Sequence, residues 1–152
     1  MSPVEVTGYR LSTTGRVLCV LFAGTLAAVL ATAATVTPDP RGYGTHQKLG
    51  LPPCGFHLMF NVPCPSCGST TSFAHFVRGQ WPSAVRANPA AFLLAATASI
   101  SIPWLLAGAA IGRLWRIEDP FRVLAGLACA IVIVALLHWA TRVPHFPWPF
   151  RK

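Results

Sequence analysis

The sequence predicts an all-α integral membrane protein: three transmembrane helices, with a cysteine-containing loop and a short amphipathic or re-entrant helix between the first and second. Three observations carry this. The chain of 152 residues is 53% hydrophobic and only 11% charged, against about 25% charged in an ordinary soluble domain. Its apolar residues gather in three long runs, each enough to cross ~30 Å of hydrocarbon at ~1.5 Å per residue. Its twelve Lys/Arg oppose four Asp/Glu, a net charge of +8, and the basic residues flank the apolar runs. They do not form a stripe beside stacking aromatics, so lipid headgroups fit them and nucleic acid does not. The whole of 1–152 reads as one membrane domain.

The first run spans residues 17–36 and carries no charge. Arg10 and Arg16 precede it, and Pro38 and Pro40 close it. A cleaved signal peptide is the rival reading, because Ala31-Thr32-Ala33 resembles a small-residue cleavage site. The apolar stretch exceeds the ~7–15 residues of a signal, which favours a retained helix.

The second run spans 90–112. Asn88-Pro89 marks its start, where a proline costs no hydrogen bond. Pro103 predicts a kink. Gly108 and Gly112 form a small-xxx-small pair that permits a close helix contact, though alanine-rich spans contain such pairs by chance. The third run spans 121–140. Trp115, Trp139 and Trp148 read as interfacial anchors, and His138 reads as reaching the headgroups. Cys19 and Cys129 read as small apolar residues. The tail after Arg142 should lie extended along the interface.

The connection from the first run to the second is too long for a bare linker. It starts irregular and rich in Gly and Pro, then carries the cysteine motif over 54–89. Cys54 and His57 come first, then Cys64-Pro65-Ser66-Cys67-Gly68. A short helix should follow. Phe73, Phe76 and Val77 share one face of it, and Cys67, Thr71, His75 and Arg78 lie near another. Such a helix suits the membrane interface or a re-entrant turn. A second short turn from Pro82 to Ala87 leads to Asn88.

Three chemistries suit the cysteines. Cys64 and Cys67 could form a dithiol redox pair, with Cys64 at a helix N-terminus where the dipole stabilises a thiolate. Cys54, His57, Cys64 and Cys67 supply three sulfurs and a nitrogen, a set that Zn²⁺ accepts. The third use is structural: a disulfide from Cys54 to Cys64 or Cys67, or plain apolar thiols. Five cysteines cannot all pair within one chain. The six residues between the two ligand pairs are fewer than in usual zinc ribbons, and no thioredoxin-like context surrounds the motif. A haem attachment is excluded because Gly68 stands where a histidine is needed. A cysteine nucleophile with His57 or His75 as base is weakened by spacing, since His75 lies about two helical turns from Cys67. The motif contains no carboxylate, so paired-carboxylate chemistry has nothing to use, and no phosphate-binding glycine loop is present.

Cys54, Pro63-Cys64-Pro65-x-Cys67-Gly68-x-Thr70, Arg78-Gly79 and Asn88-Pro89 before an apolar helix resemble a family of small bacterial membrane proteins, domain of unknown function (DUF) 2752. The resemblance covers about Cys54 to Leu94. It implies a multi-span membrane protein with a cysteine motif and brings no activity. The family usually has an arginine directly after the threonine; here that position is Thr71, which leaves its role absent or taken by Arg78. An acidic residue common after the glycine is Gln80 here.

The expected function is therefore a non-enzymatic membrane module with a structural or zinc-binding cysteine motif. The alternative is a membrane thiol–disulfide oxidoreductase using Cys64 and Cys67. The expected setting is the bacterial cytoplasmic membrane, with the bilayer and either a membrane protein or a second copy as partner. Basic residues fall on both sides of the spans and do not fix the orientation.

Overall fold

A computed structural model describes residues 8–60, 62–115 and 117–142, with the side chain of His57 excepted. The expectations for Trp148 and the tail fall outside these residues. Strand β1 (Gly8–Arg10) leads into α1 (Thr13–Thr35); a 3₁₀ turn (Thr45–Leu49) and α2 (Gly55–Phe60) follow. Next come α3 (Ser69–Phe76), α4 (Trp81–Ala87), α5 (Pro89–Ile111), β2 (Arg113–Trp115) and α6 (Pro120–Arg142). Helices α1, α5 and α6 are each long and apolar enough to cross a membrane. The chain is a multi-pass membrane protein.

The predicted spans hold, with their ends moved by local chemistry. Helix α1 starts before Val17 because Ser12 caps it, its hydroxyl accepting from the Gly15 N–H at 3.1 Å. Arg16 therefore lies inside the helix. Helix α5 runs through Pro103 and stops where Gly112 turns left-handed at φ 80°. Gly112 thus ends the helix, as a C-terminal glycine does, and the Arg16 side chain of α1 lies against it. Trp115 lies in β2, just beyond the end of α5.

The residues fall into two compact units, Met1–Val29 with Ala96–Cys129, and Leu30–Ala95 with Ala130–Lys152. In the first, β1 and β2 pair antiparallel with Tyr9 opposite Leu114. No alternating pattern announced these three-residue strands. Below them Cys19, Ala23, Leu105, Ala109 and Leu114 form a small core, with Leu11, Leu26 and Trp104 packed on it. Cys19 is buried there as an apolar residue, as expected. Arg16 donates from Nη2 to the Ala110 carbonyl at 2.9 Å, filling one of the unpaired acceptors at the end of α5.

In the second unit α3 and α4 pack closely. The face of α3 that is fully buried is Thr71, Ser72 and Ala74, whereas Phe73, Phe76 and Val77 are only half-buried. The reason is size: small side chains let α4 approach, and Ser72 Oγ donates to the carbonyls of Ala84 (2.9 Å) and Asn88 (3.0 Å). Phe76 meets Phe92 of α5 edge-on at 5.6 Å. Helix α6 has no buried residue among those described. Phe121 is 78% exposed and Leu137 64%. A helix apolar all round and left bare is expected where the surroundings are lipid.

Candidate functional site

The site is built on the turn that joins α2 to α3. The Cys67 N–H donates to the Cys64 carbonyl at 2.9 Å, closing the turn Cys64–Cys67. Gly68 then adopts φ 87° as the N-cap of α3. A Cβ here would lie 2.6 Å from the Ala87 carbonyl oxygen and 2.7 Å from that of Gly42. Only glycine satisfies both the left-handed backbone and this contact. The helix begins at Ser69, so Cys64 sits a full turn ahead of it. The N-terminal position expected for Cys64 is not realised, because the turn separates it from the free N–H groups of α3.

Three alternate carbonyls of this turn are held by side chains from elsewhere in the unit. The Trp139 indole Nε1 donates to the Pro63 carbonyl at 2.6 Å. Asn88 Nδ2 reaches the carbonyls of Pro65 at 3.4 Å and Cys67 at 3.2 Å. Arg142 Nη1 reaches Cys67 at 3.4 Å and Ala87 at 3.3 Å. Backbone oxygens near a membrane need such partners. Asn88 also caps α5: its Oδ1 accepts from the Ala91 N–H at 2.9 Å. One carboxamide ties the start of the span to the cysteine turn.

The sulfurs are placed as follows. Cys54 Sγ and Cys64 Sγ are 3.6 Å apart. Cys64 Sγ also lies 3.4 Å from Ser66 Oγ. Burial pushes the Cys67 thiol up from its ordinary value, and neighbouring Cys64 adds to this while Arg142 opposes it. Cys67 is therefore held as a thiol, a poor nucleophile at neutral pH. A cavity of about 500 Å³ opens beside all three cysteines, with Tyr43, His46 and Thr71 also on its wall. Among the described residues no three of His, Cys, Asp and Glu converge as a metal-ligand set, and the His57 side chain lies outside them.

A hydroxyl chain supports the far wall. The Asp39 N–H donates to Thr45 Oγ1 at 2.9 Å, and Thr45 and Thr71 share a 2.7 Å hydrogen bond. Both threonines are fully buried. Asp39 in turn accepts from Arg41 Nε and Nη2, both at 2.9 Å. Those bonds hold its carboxyl down at about 2. Thr71, the residue in the arginine position, is thus a neutral, fully buried member of this hydroxyl chain. Arg78 does not enter the cavity: its guanidinium donates to the carbonyls of Ala33 (3.3 Å), Ala34 (3.0 Å) and Ala74 (2.7 Å), closing the end of α1. His75 Nδ1 bonds Gln80 Oε1 at 2.6 Å. His138 is half-buried, with Nε2 lacking a hydrogen-bond partner among the described residues.

Sequence reasoning missed Asn88, Trp139 and Arg142 as supports of the turn. Asn-Pro signalled the cap but not the second use of the amide. Trp and Arg at the end of a span read as headgroup anchors, and the same residue types serve here as donors to protein.

No curated protein and no solved structure matches the chain. The cysteine turn, α3, α4 and the first part of α5 lie in one matched stretch: residues 54–102 match the family described as Protein of unknown function (DUF2752), which bears out the resemblance to that family.

Proposed function

We propose that the chain is a non-enzymatic module of the bacterial cytoplasmic membrane whose cysteine loop is fastened through Cys54 and Cys64, and which acts through a membrane partner or a second copy. The observation that carries this is the 3.6 Å separation of the two sulfurs. The two sulfurs are already in contact, and closing to ~2.0 Å would make the disulfide. Two thiolates on a tetrahedral zinc at ~2.3 Å each stand ~3.8 Å apart, so the same pair also suits two ligands of one ion, with His57 and Cys67 as the remaining candidates. In either form the pair closes the loop that the three anchored carbonyls hold in place.

The test is the paired variant Cys54→Ser/Cys64→Ser. Its folded yield and thermal midpoint in mild detergent should fall clearly below those of Cys129→Ser. Equal yield and equal midpoint would reject the fastening role. Metal content and thiol count of the anaerobically purified protein separate the forms: one zinc per chain, or two thiols missing until reductant is added.

A second reading is favoured by the cavity beside Cys64. In a thiol–disulfide oxidoreductase the Cys64 thiolate attacks a disulfide of a partner protein and expels one partner thiolate. The Cys54 thiolate then attacks Cys64 and expels the other. The partner gains two electrons as a dithiol, and Cys54–Cys64 is left as the disulfide. This pairing replaces Cys67 as the second sulfur. A redox titration showing no reversible couple between Cys54 and Cys64 would exclude it.

A further inference from the structure

The second unit holds another cavity, about 390 Å³, on whose wall stand Arg41, Arg86, Arg142, His75, Ser83 and Asp39. Its charges do not cancel. Asp39 is matched by Arg41 at 2.9 Å. Arg86 donates from Nη2 to Ser83 Oγ at 3.1 Å, and Arg142 donates from Nη1 to two backbone carbonyls. Those acceptors are neutral, and among the described residues neither Arg86 nor Arg142 has a carboxylate partner. The chain has only four Asp and Glu side chains, of which Glu5 lies outside the described residues. Glu118 and Asp119 precede α6 at the end away from Arg142, and Asp119 pairs with Arg122 at 3.0 Å.

We infer that this cavity binds a phosphate group, as a free ion or as the headgroup of an anionic phospholipid. Two guanidiniums facing one concave site create a positive potential that concentrates anions from solution. The planar fork of arginine matches tetrahedral phosphate oxygens. The Arg142 fork is already fixed by the Cys67 and Ala87 carbonyls, so little side-chain freedom is lost on binding. The Ser83 hydroxyl adds a neutral donor. Arg142 is also the last residue of the α6 span, at the depth where headgroups lie.

The experiment uses the full chain in two arms. In one, the protein in lipid nanodiscs of phosphatidylcholine is titrated with phosphatidylglycerol, and retained lipid is read by native mass spectrometry. In the other, inorganic phosphate is added to the detergent-solubilised protein and the thermal midpoint is followed. Arg86→Gln and Arg142→Gln are compared with Arg10→Gln, which lies in β1 outside the cavity. Arg86→Gln covers the case in which Arg142→Gln fails to fold, because Arg86 is exposed and among the described residues bonds only Ser83. Loss of one charge-assisted contact should weaken binding by about tenfold in Arg86→Gln and leave Arg10→Gln unchanged. Response in the first arm alone assigns the site to a lipid headgroup, and response in the second alone assigns it to free phosphate. Absence of binding in both arms, or equal weakening by Arg10→Gln, would overturn the inference.

Discussion

Asn88 holds Cys67: the amide nitrogen that lies 3.2 Å from the Cys67 carbonyl belongs to the side chain whose oxygen starts helix α5. The start of a membrane span and the cysteine turn are therefore one structural unit. Asn88 is 1% exposed, so water cannot replace what a substitution removes. Asn88→Ala should cost about 2–3 kcal/mol, combining a lost cap with buried carbonyls left unpaired. Asn88→Asp keeps the cap oxygen but buries a carboxylate with one oxygen turned toward the Pro65 and Cys67 carbonyls, and should cost at least as much. Chemical denaturation in mild detergent checks the order of the three proteins.

Gly68 is fixed by two independent constraints, and Gly50 by one. Gly50 has φ 78° and open space around its Cβ position, whereas Gly68 has both a positive φ and two carbonyl oxygens within 2.7 Å. Gly50→Ala should cost only the left-handed strain of ~1–2 kcal/mol. Gly68→Ala must also displace both Ala87 and Gly42, and its folded yield should drop severely. Size-exclusion profiles of the two variants, expressed side by side, read this directly.

Trp139→Phe keeps an aromatic ring at the end of α6 and removes the donor to Pro63. The expected loss is about 1 kcal/mol, with a faster rate of Cys64 alkylation as the turn loosens. Trp81→Phe removes an indole that is 58% exposed on α4 and should leave the labelling rate unchanged.

Acid should weaken the second unit through Asp39. Its carboxyl is held down at about 2 against an ordinary 3.8, chiefly by the hydrogen bonds from Arg41. A depressed folded value means the stabilisation is present above the unfolded value and fades as pH falls through about 4 toward 2. Thermal midpoints measured across that window should fall for the native chain. Asp39→Asn should show a smaller fall over the same window and a lower midpoint at neutral pH.

The spans were legible because lipid imposes length and polarity on a helix whatever it packs against. Their ends were not, because a cap such as Ser12 lies outside the apolar run. Arginines were legible as charges and opaque in role. Arg16 closes the end of α5, Arg78 the end of α1, and Arg142 the end of α4, each satisfying a carbonyl that a helix terminus leaves free. A sequence shows an arginine near a helix end without showing whether phosphate or a carbonyl receives it. The cysteine motif was legible as a cluster. Its pairing was not, since the Cys54–Cys64 contact depends on how α2 folds back toward the turn, and the local spacing pointed equally to Cys64 and Cys67.

The central claim is that Cys54 and Cys64 act as a pair. The most direct measurement is mild oxidation of the purified protein, followed by alkylation under denaturing conditions and peptide mass mapping. The pairing predicts an intramolecular bridge between Cys54 and Cys64, with Cys67 alkylated as a free thiol. A bridge between Cys64 and Cys67, or free thiols at both Cys54 and Cys64 after oxidation of the metal-free protein, would contradict it.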